Sequence, residues 1–258
     1  MVKNICKIKK RLNDVQGLSS TSRIYLTYNN KIIKTVLIKR DNESEWLDKV
    51  NTVTKRGNVD KLFNPYLEKR ICKKFTYFLF NRLKDDLDIL LLENIKKEDK
   101  RNILMQCLLA TYVLNNKLKI FHNDLYMRDK LRNFMYKKNK RNFNVEIDGM
   151  KVTVGKYNVK IIDFNTSKDH PAHFTTAYHP PELKIISECF LVGYYFFRNT
   201  FKIENTEELK SFLVEGGLKI IEKLEREKDE LTLENYDREI IKFYMKNFDD
   251  IYSHYSSK

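Results

Sequence analysis

Cysteine, glycine and proline are all scarce in this 258-residue chain, with four, seven and four residues respectively. The cysteines (Cys6, Cys72, Cys107 and Cys189) are scattered, and none belongs to a C-x-x-C pair. That spacing indicates neither a disulfide framework nor a zinc site, and it points to a cytoplasmic or other reducing intracellular compartment. No stretch approaches the ~20 apolar residues of a membrane span, and no apolar run follows the opening basic residues as a secretory leader would require. The expectation is a protein without a transmembrane segment that is not secreted.

Acidic residues are also in deficit: 35 Asp and Glu stand against 49 Lys and Arg, a formal net charge of +14. Basic clusters occur at Lys3 to Arg11 and at Lys137 to Arg141. Such a surface attracts nucleic acid, acidic lipids or acidic peptides. Lys, Asn and Ile abound throughout, however, a bias that fits an A/T-rich coding sequence. A solvated basic surface is therefore favoured over a dedicated nucleic-acid site. What the chain does have is a core: 42% hydrophobic and 12% aromatic residues, enough for one well-packed domain.

The informative stretch is Ile120 to Met135, I-F-H-N-D-L-Y-M-R-D-K-L-R-N-F-M, answered later by Val159 to Asn165, V-K-I-I-D-F-N. Two short apolar segments, each ending on an aspartate, can bring the Asp124 and Asp163 carboxylates to one cleft. Metal-assisted phosphoryl transfer needs such a pair, one to orient the attacking hydroxyl and one to hold magnesium against nucleotide phosphates. Magnesium takes few ligands from protein, so one Asp and one Asn amide suffice.

His122-Asn123-Asp124-Leu125 resembles the H-x-D-L catalytic loop of the protein kinase superfamily, and Asp163-Phe164-Asn165 resembles its D-F-G. The H-N-D-L form is similar to that of the divergent kinases of large DNA viruses. The resemblance implies an α+β, two-lobed fold: residues 1–92 as a small antiparallel β N-lobe with one helix, residues 93–258 as a mainly helical, trimmed C-lobe. It implies ATP and Mg2+ as cofactors, with Mn2+ as a substitute, and Ser/Thr hydroxyls of a protein substrate as acceptors. Two alternatives stay open, a pseudokinase acting as a scaffold and a kinase of a small molecule or RNA-associated partner.

The other motifs follow in chain order. Arg23 to Tyr28 and Ile33 to Ile38 read as strands joined across Asn29-Asn30. Gly17-Leu18-Ser19-Ser20-Thr21-Ser22-Arg23-Ile24 is similar to the kinase Gly-rich loop with serines at later glycine positions, which makes Gly17, Ser19, Ser22 and Ile24 candidate nucleotide contacts. Val36-Leu37-Ile38-Lys39 resembles the V-A-I-K strand, and Lys39 is the expected phosphate-binding lysine. Leu67, Ile71 and Phe75 recur at i, i+4, i+8 after Pro65, which suggests a helix carrying Glu68 as the partner of that lysine; Glu43 and Glu45 follow Lys39 too closely to return to it. Asp88 to Ile95 reads as a buried strand running into a hinge where backbone groups of Glu93 to Ile95 contact adenine. Asp99 to Lys117 is a helix by its 3.6-residue period.

The catalytic loop is longer than the family pattern, so the metal ligand beside Asp163 is Asn133 or Asp129. Tyr126 occupies the usual lysine position, which passes phosphate stabilisation to Arg128 or Lys130. Val145 to Val154 alternates on both sides of Asp148-Gly149 and predicts an inserted β-hairpin. Thr175 to Glu182, T-T-A-Y-H-P-P-E, resembles the end of an activation segment, with Thr175 or Thr176 near Asp124 and Glu182 pairing with a late arginine such as Arg238. Asn123 stands where phosphorylation-switched kinases carry arginine, which implies activity without such phosphorylation. Helices are expected from Ser187, over Glu207 to Glu227, and over Asn235 to Tyr252, with Glu188 in place of the usual Asp.

Overall fold

The computed structural model describes residues 22–26, 31–38, 43–53, 55–127, 130–227 and 230–256. It is a mixed α/β chain with a small antiparallel sheet at one end of the sequence and a larger, mainly helical part. Strands β1 (Ser22–Leu26), β2 (Lys31–Leu37), β3 (Glu68–Cys72) and β4 (Phe75–Asn81) form a sheet in the order β1-β2-β4-β3, antiparallel throughout. Helix α1 (Glu43–Asn51) buries Trp46, Leu47 and Val50, in one core cluster with Val36 and Phe78 of the sheet. Lys55 and a 3₁₀ stretch, Arg56–Leu62, follow α1, and Phe63 bridges to Ile161.

Two expected elements are corrected here. The segment carrying Leu67, Ile71 and Phe75 is not a helix: Glu68 lies on β3 and Lys73-Lys74 turn the chain into β4. A spacing of four residues satisfies the strand period of two as well as the helical period, and F-T-Y-F-L-F-N is strongly strand-forming. Leu67 and Ile71 stay largely exposed, at 48% and 72%, so their stripe faces no core. Asp88 to Ile95 is likewise not a strand, for helix α2 (Leu87–Leu92) buries Leu87, Leu90 and Leu91. A short apolar run fits a buried helix as well as a strand. The chain leaves the sheet at Asn81, and α2 packs against the helical part.

Helix α3 (Lys97–Tyr112), prolonged by one π-type turn over Val113–Lys117, runs through the centre of the helical part. Around it pack α5 (Glu188–Phe201), α7 (Leu233–Ser256) and strand β11 (Tyr157–Ile161). Helix α6 (Glu207–Arg226) covers α7 from outside. Helices α5 and α7 approach so closely at Gly193 that a β-carbon there would run into the Tyr244 ring. Between α3 and α5 lie the hairpin β6 (Tyr126–Met127) and β7 (Lys130–Leu131), then β8 (Phe134–Lys138), which pairs with β11 and with the two-residue β5 (Asp85–Asp86). Strands β9 (Phe143–Ile147) and β10 (Met150–Val154) form the anticipated hairpin, and its Asp148-Gly149 turn takes φ of 49° and 76°, the left-handed pair that such a turn requires.

Cys72 is disulfide-bonded, whereas Cys107 and Cys189 are free and buried. Among the described residues no helix is long and apolar enough to cross a membrane.

Candidate active site

A cavity of about 400 Å³ lies where β1, β2 and α1 face β8 and the end of β11. Ile24, Ile32, Leu47, Phe80 and Met135 give it apolar walls, and Arg82 to Asp86 line one side. Lys34, Glu43 and Asp163 form an ion-paired cluster in its lining.

Lys34 is the centre of that cluster. It sits in mid-strand in I-I-K-T-V-L, buried to 7% exposure, where an ammonium group is tolerable only if paired. Its Nζ donates to Glu43 Oε1 at 2.7 Å and to Asp163 Oδ1 at 2.5 Å. Burial alone would lower the Lys34 pKa, but Glu43 and Asp163 together hold it above its ordinary value. Burial pushes Glu43 up, against the pull of Lys34 and of the Phe164 N–H, which donates to Glu43 Oε1 at 3.2 Å. Asp163 is also partly desolvated, yet Lys34 first of all, then His122 and Arg132, keep it below the usual carboxylate range.

Two sequence assignments, Lys39 and Glu68, bear on this cluster. Lys39 lies outside the described residues; the lysine that meets a glutamate and Asp163 is Lys34. Glu68 is bound to Arg70 at 2.5 Å on β3, and Glu43, at the start of α1, is the carboxylate that returns to the strand. Glu43 follows Lys39 too closely to return to it, but from Lys34 there is room for a turn and the first residue of a helix. A lysine inside an otherwise apolar strand is the sequence signal that could have found the pair.

The loops bearing Asp124 and Asp163 are stapled together. Asn133 Nδ2 donates to Asp124 O at 2.8 Å and to Asp124 Oδ2 at 3.1 Å, while Asn133 O accepts from Ile162 N at 2.9 Å. His122 Nε2 donates to Ile162 O at 2.9 Å, and the His122 ring packs on Phe164 with centroids 5.1 Å apart. Asp124 does not line the cavity itself; Asn133 joins it to the residue beside Asp163. Asn123, Asn133 and Asp163 all take left-handed φ, at 63°, 57° and 61°. Asn tolerates this conformation well, and three such residues in two adjoining loops mark a constrained site. At Asp163-Phe164-Asn165 the left-handed residue is the aspartate rather than the asparagine in the glycine position.

The support beneath comes from α5 and from the segment that precedes it in the chain. Glu188, fully buried, accepts from His122 N at 3.0 Å and Asn123 N at 2.7 Å. Ser187 caps α5 through Phe190 N and also donates to Asp237 Oδ1 at 2.5 Å. Asn123 Nδ2 donates to the carbonyls of Phe121 and His170, both at 3.2 Å. Its Oδ1 accepts from Ala172 N at 2.7 Å and Thr175 Oγ1 at 2.8 Å. Thr175, on helix α4 (His173–Tyr178), therefore meets Asn123 rather than Asp124. Arg238 bonds to Glu234 at 3.4 Å, and Glu182 stands exposed instead of pairing with it.

Of the remaining candidates, Ile24 lines the cavity and Ser22 opens β1. Gly17, Ser19, Arg128 and Asp129 lie outside the described residues. Glu93 and Ile95 follow α2 and are not part of the cavity lining, a place taken by Arg82 to Asp86. Asp163 lines the cavity, and Asn133, outside the lining, turns its amide nitrogen to Asp124, so the two residues expected as metal ligands offer a carboxylate and an amide oxygen. Such a hard, sparse donor set fits magnesium. Among the described residues no group of three or more His, Cys, Asp and Glu side chains could hold a metal ion.

No protein-family model matches the chain, and no curated protein does. Among solved structures, the crystal structure of a kinase domain is similar at a TM-score of 0.41 and 18% identity, over 74% of this chain and 63% of that one. The chain thus spans less than two thirds of the domain it matches, and at that score the likeness carries no weight beside the geometry above.

Proposed function

We propose that this chain is a protein kinase that moves the γ-phosphate of ATP to Ser or Thr hydroxyls with magnesium. The observation that carries the reading is the buried Lys34–Glu43–Asp163 cluster in the lining of an apolar cavity, with Asp124 tied to the same loop through Asn133. An apolar slot with a cation and a carboxylate in its lining suits a purine nucleotide whose phosphates run toward Asp163.

In this reading Lys34 contacts the non-transferred phosphates and Glu43 holds its ammonium in place. Asp163 and Asn133 would hold magnesium, which neutralises phosphate charge when bound. Asp124 orients the acceptor hydroxyl and takes its proton. The acceptor oxygen bonds to the γ-phosphorus while the bond to the β–γ bridging oxygen breaks, and ADP leaves with that electron pair. Backbone groups of Arg82 to Lys84 replace Glu93 to Ile95 as the adenine contact. Asn123, a neutral side chain, already ties His170, Ala172 and Thr175 to the catalytic loop, so activity does not await a phosphate on that segment.

The test is radiolabel transfer from γ-labelled ATP to casein and to histone, followed by phosphoamino-acid analysis, for wild type, Asp124→Ala and Asp163→Ala. Wild type labels Ser or Thr, and each variant loses at least ~10²-fold in rate. Wild type that binds ATP without transferring phosphate would instead support the scaffold alternative.

A further inference from the structure

Folding gathers six exposed cations from three separate stretches of the sequence. Lys137, Lys138, Lys140 and Arg141 lie at the end of β8 and in the loop after it, Lys156 immediately before β11, and Lys84 immediately before β5. Asn139 pins the loop to the start of β11, its N–H donating to Lys156 O at 2.9 Å and its Nδ2 to Gly155 O at 3.1 Å. Lys84 joins them through its N–H, which donates to Tyr136 O at 2.8 Å. Tyr136 and Lys138 alternate onto one face of β8, and Lys138 stands opposite Tyr157. The Lys84 ammonium lies 5.8 Å from the Tyr136 ring and that of Lys156 5.0 Å from the Tyr157 ring, with the two rings 5.7 Å apart. Lys84, Lys138 and Lys156 thus rim one small area, with Lys140 and Arg141 in the loop beside it and Lys137 on the opposite face of β8.

Exposed lysines elsewhere find acids, as in the pairs Lys97–Asp249, Lys219–Glu215 and Lys242–Glu239. Among the described residues these six cations do not. Glu93 acts on Lys84, Lys138 and Lys156, and Asp99 on Lys156, only from beyond ion-pairing distance. Asp85 and Asp86, next in the chain to Lys84, line the nucleotide cavity instead.

The composition of this surface narrows its partner. None of the exposed large apolar side chains belongs to its segments, whereas a protein partner would call for an apolar anchor. Tyr136 and Tyr157 are buried, at 1% and 5% exposure, so they offer no ring to unpaired bases, which single-strand binders stack on aromatics. Duplex RNA is read largely through its 2′-hydroxyls, and the Asn139 amide is already spent on Gly155 O. What remains is positive charge without a counter-ion, which matches the phosphates of a DNA duplex.

We propose that the surface formed by Lys84, Lys137, Lys138, Lys140, Arg141 and Lys156 binds the phosphate backbone of duplex DNA without reading its sequence. Each cation that meets a phosphate releases condensed counterions, so binding weakens steeply with salt. This holding of DNA is separate from phosphotransfer and does not depend on the kinase reading.

The test is fluorescence anisotropy of a short labelled DNA duplex titrated with the full chain over a range of salt concentrations. Wild type is compared with Lys138→Gln/Lys156→Gln and with a control of equal charge change, Lys210→Gln/Lys246→Gln, at exposed positions of α6 and α7. Thermal melting confirms that each variant folds. The logarithm of the wild-type binding constant should fall against that of salt with a slope of about −5 or steeper. The Lys138/Lys156 variant should flatten the slope by about 2 and weaken binding ~10-fold or more at ~0.1 M salt. The control should keep the wild-type slope and an affinity within about threefold. Wild type that leaves the duplex unbound, a Lys138/Lys156 variant that binds as wild type does, or a control that loses as much, overturns the assignment. So does tighter binding to single-stranded DNA, duplex RNA, an oligo-glutamate peptide or phosphatidylserine vesicles than to the DNA duplex.

Discussion

Replacing Lys34 with methionine separates the site described here from the one expected at Lys39. Methionine keeps most of the side-chain volume in β2 and removes the charge. Glu43 is then left 2% exposed without its counter-ion, while Asp163, about a third exposed, can turn to water. Breaking a buried ion pair from one side costs ~3–5 kcal/mol, chiefly because the surviving charge stays desolvated. At ~2–4 °C per kcal/mol for a chain of this size, the melting temperature should fall by roughly 6–20 °C. Adding Glu43→Leu removes the orphaned charge, so the double variant should regain most of that loss. The shortfall is about 1 kcal/mol for the Phe164 N–H that loses its acceptor. Thermal melting of the two single variants and the double variant, at one pH and salt concentration, gives the coupling energy directly. Additive single effects, or a Lys34→Met protein that melts with wild type, would refute the pairing. Loss of ATP binding on Lys39→Met with none on Lys34→Met would return the phosphate contact to Lys39.

Other consequences follow from the support beneath the site. Asp237 is fully buried and burial pushes its carboxyl from 3.8 up to about 7; the folded chain therefore holds a proton that the unfolded chain has released, and stability falls as pH rises from about 4 to 7. Melting curves at pH 5 and pH 8 should show that fall in wild type and a smaller one in Asp237→Asn, and an equal fall in both would discount the residue. Gly193→Ala should cost roughly 1–3 kcal/mol by forcing α5 away from the Tyr244 ring, read as a drop in denaturation midpoint; an unchanged midpoint would mean that the helices part freely. Phosphatase treatment of the purified chain should leave phosphotransfer unchanged, and abolition of activity would mean that the Asn123 tether does not suffice.

The parts of the site legible beforehand were those written in short range. Asp124 and Asp163 each end an apolar segment, Asn133 precedes the strand that became β8, and Asp148-Gly149 specifies its turn locally. Glu188 was legible as the acid opening α5, though only the fold shows it gripping the N–H groups of His122 and Asn123. The misread parts depended on partners far along the chain or on ambiguous periods. Leu67, Ile71 and Phe75 obey two periods at once, and the leucines of α2 are too few to favour either. Lys34 carries no local signal beyond being a lysine inside an apolar strand. Its burial between Glu43 and Asp163 becomes visible only when β2, α1 and the loop after β11 meet.

The central claim is that Lys34, Glu43 and Asp163 form one nucleotide-phosphate site that works with a divalent cation. Calorimetric titration of ATP into wild type, Lys34→Met and Asp163→Asn, each with and without magnesium, tests it most directly. Wild type should bind ATP at least ~10-fold more tightly with magnesium than without, a coupling of about 1.4 kcal/mol. Asp163→Asn should lose that dependence, and Lys34→Met should bind weakly in both conditions. ATP binding that ignores magnesium in wild type, or that survives both substitutions unchanged, would contradict the claim.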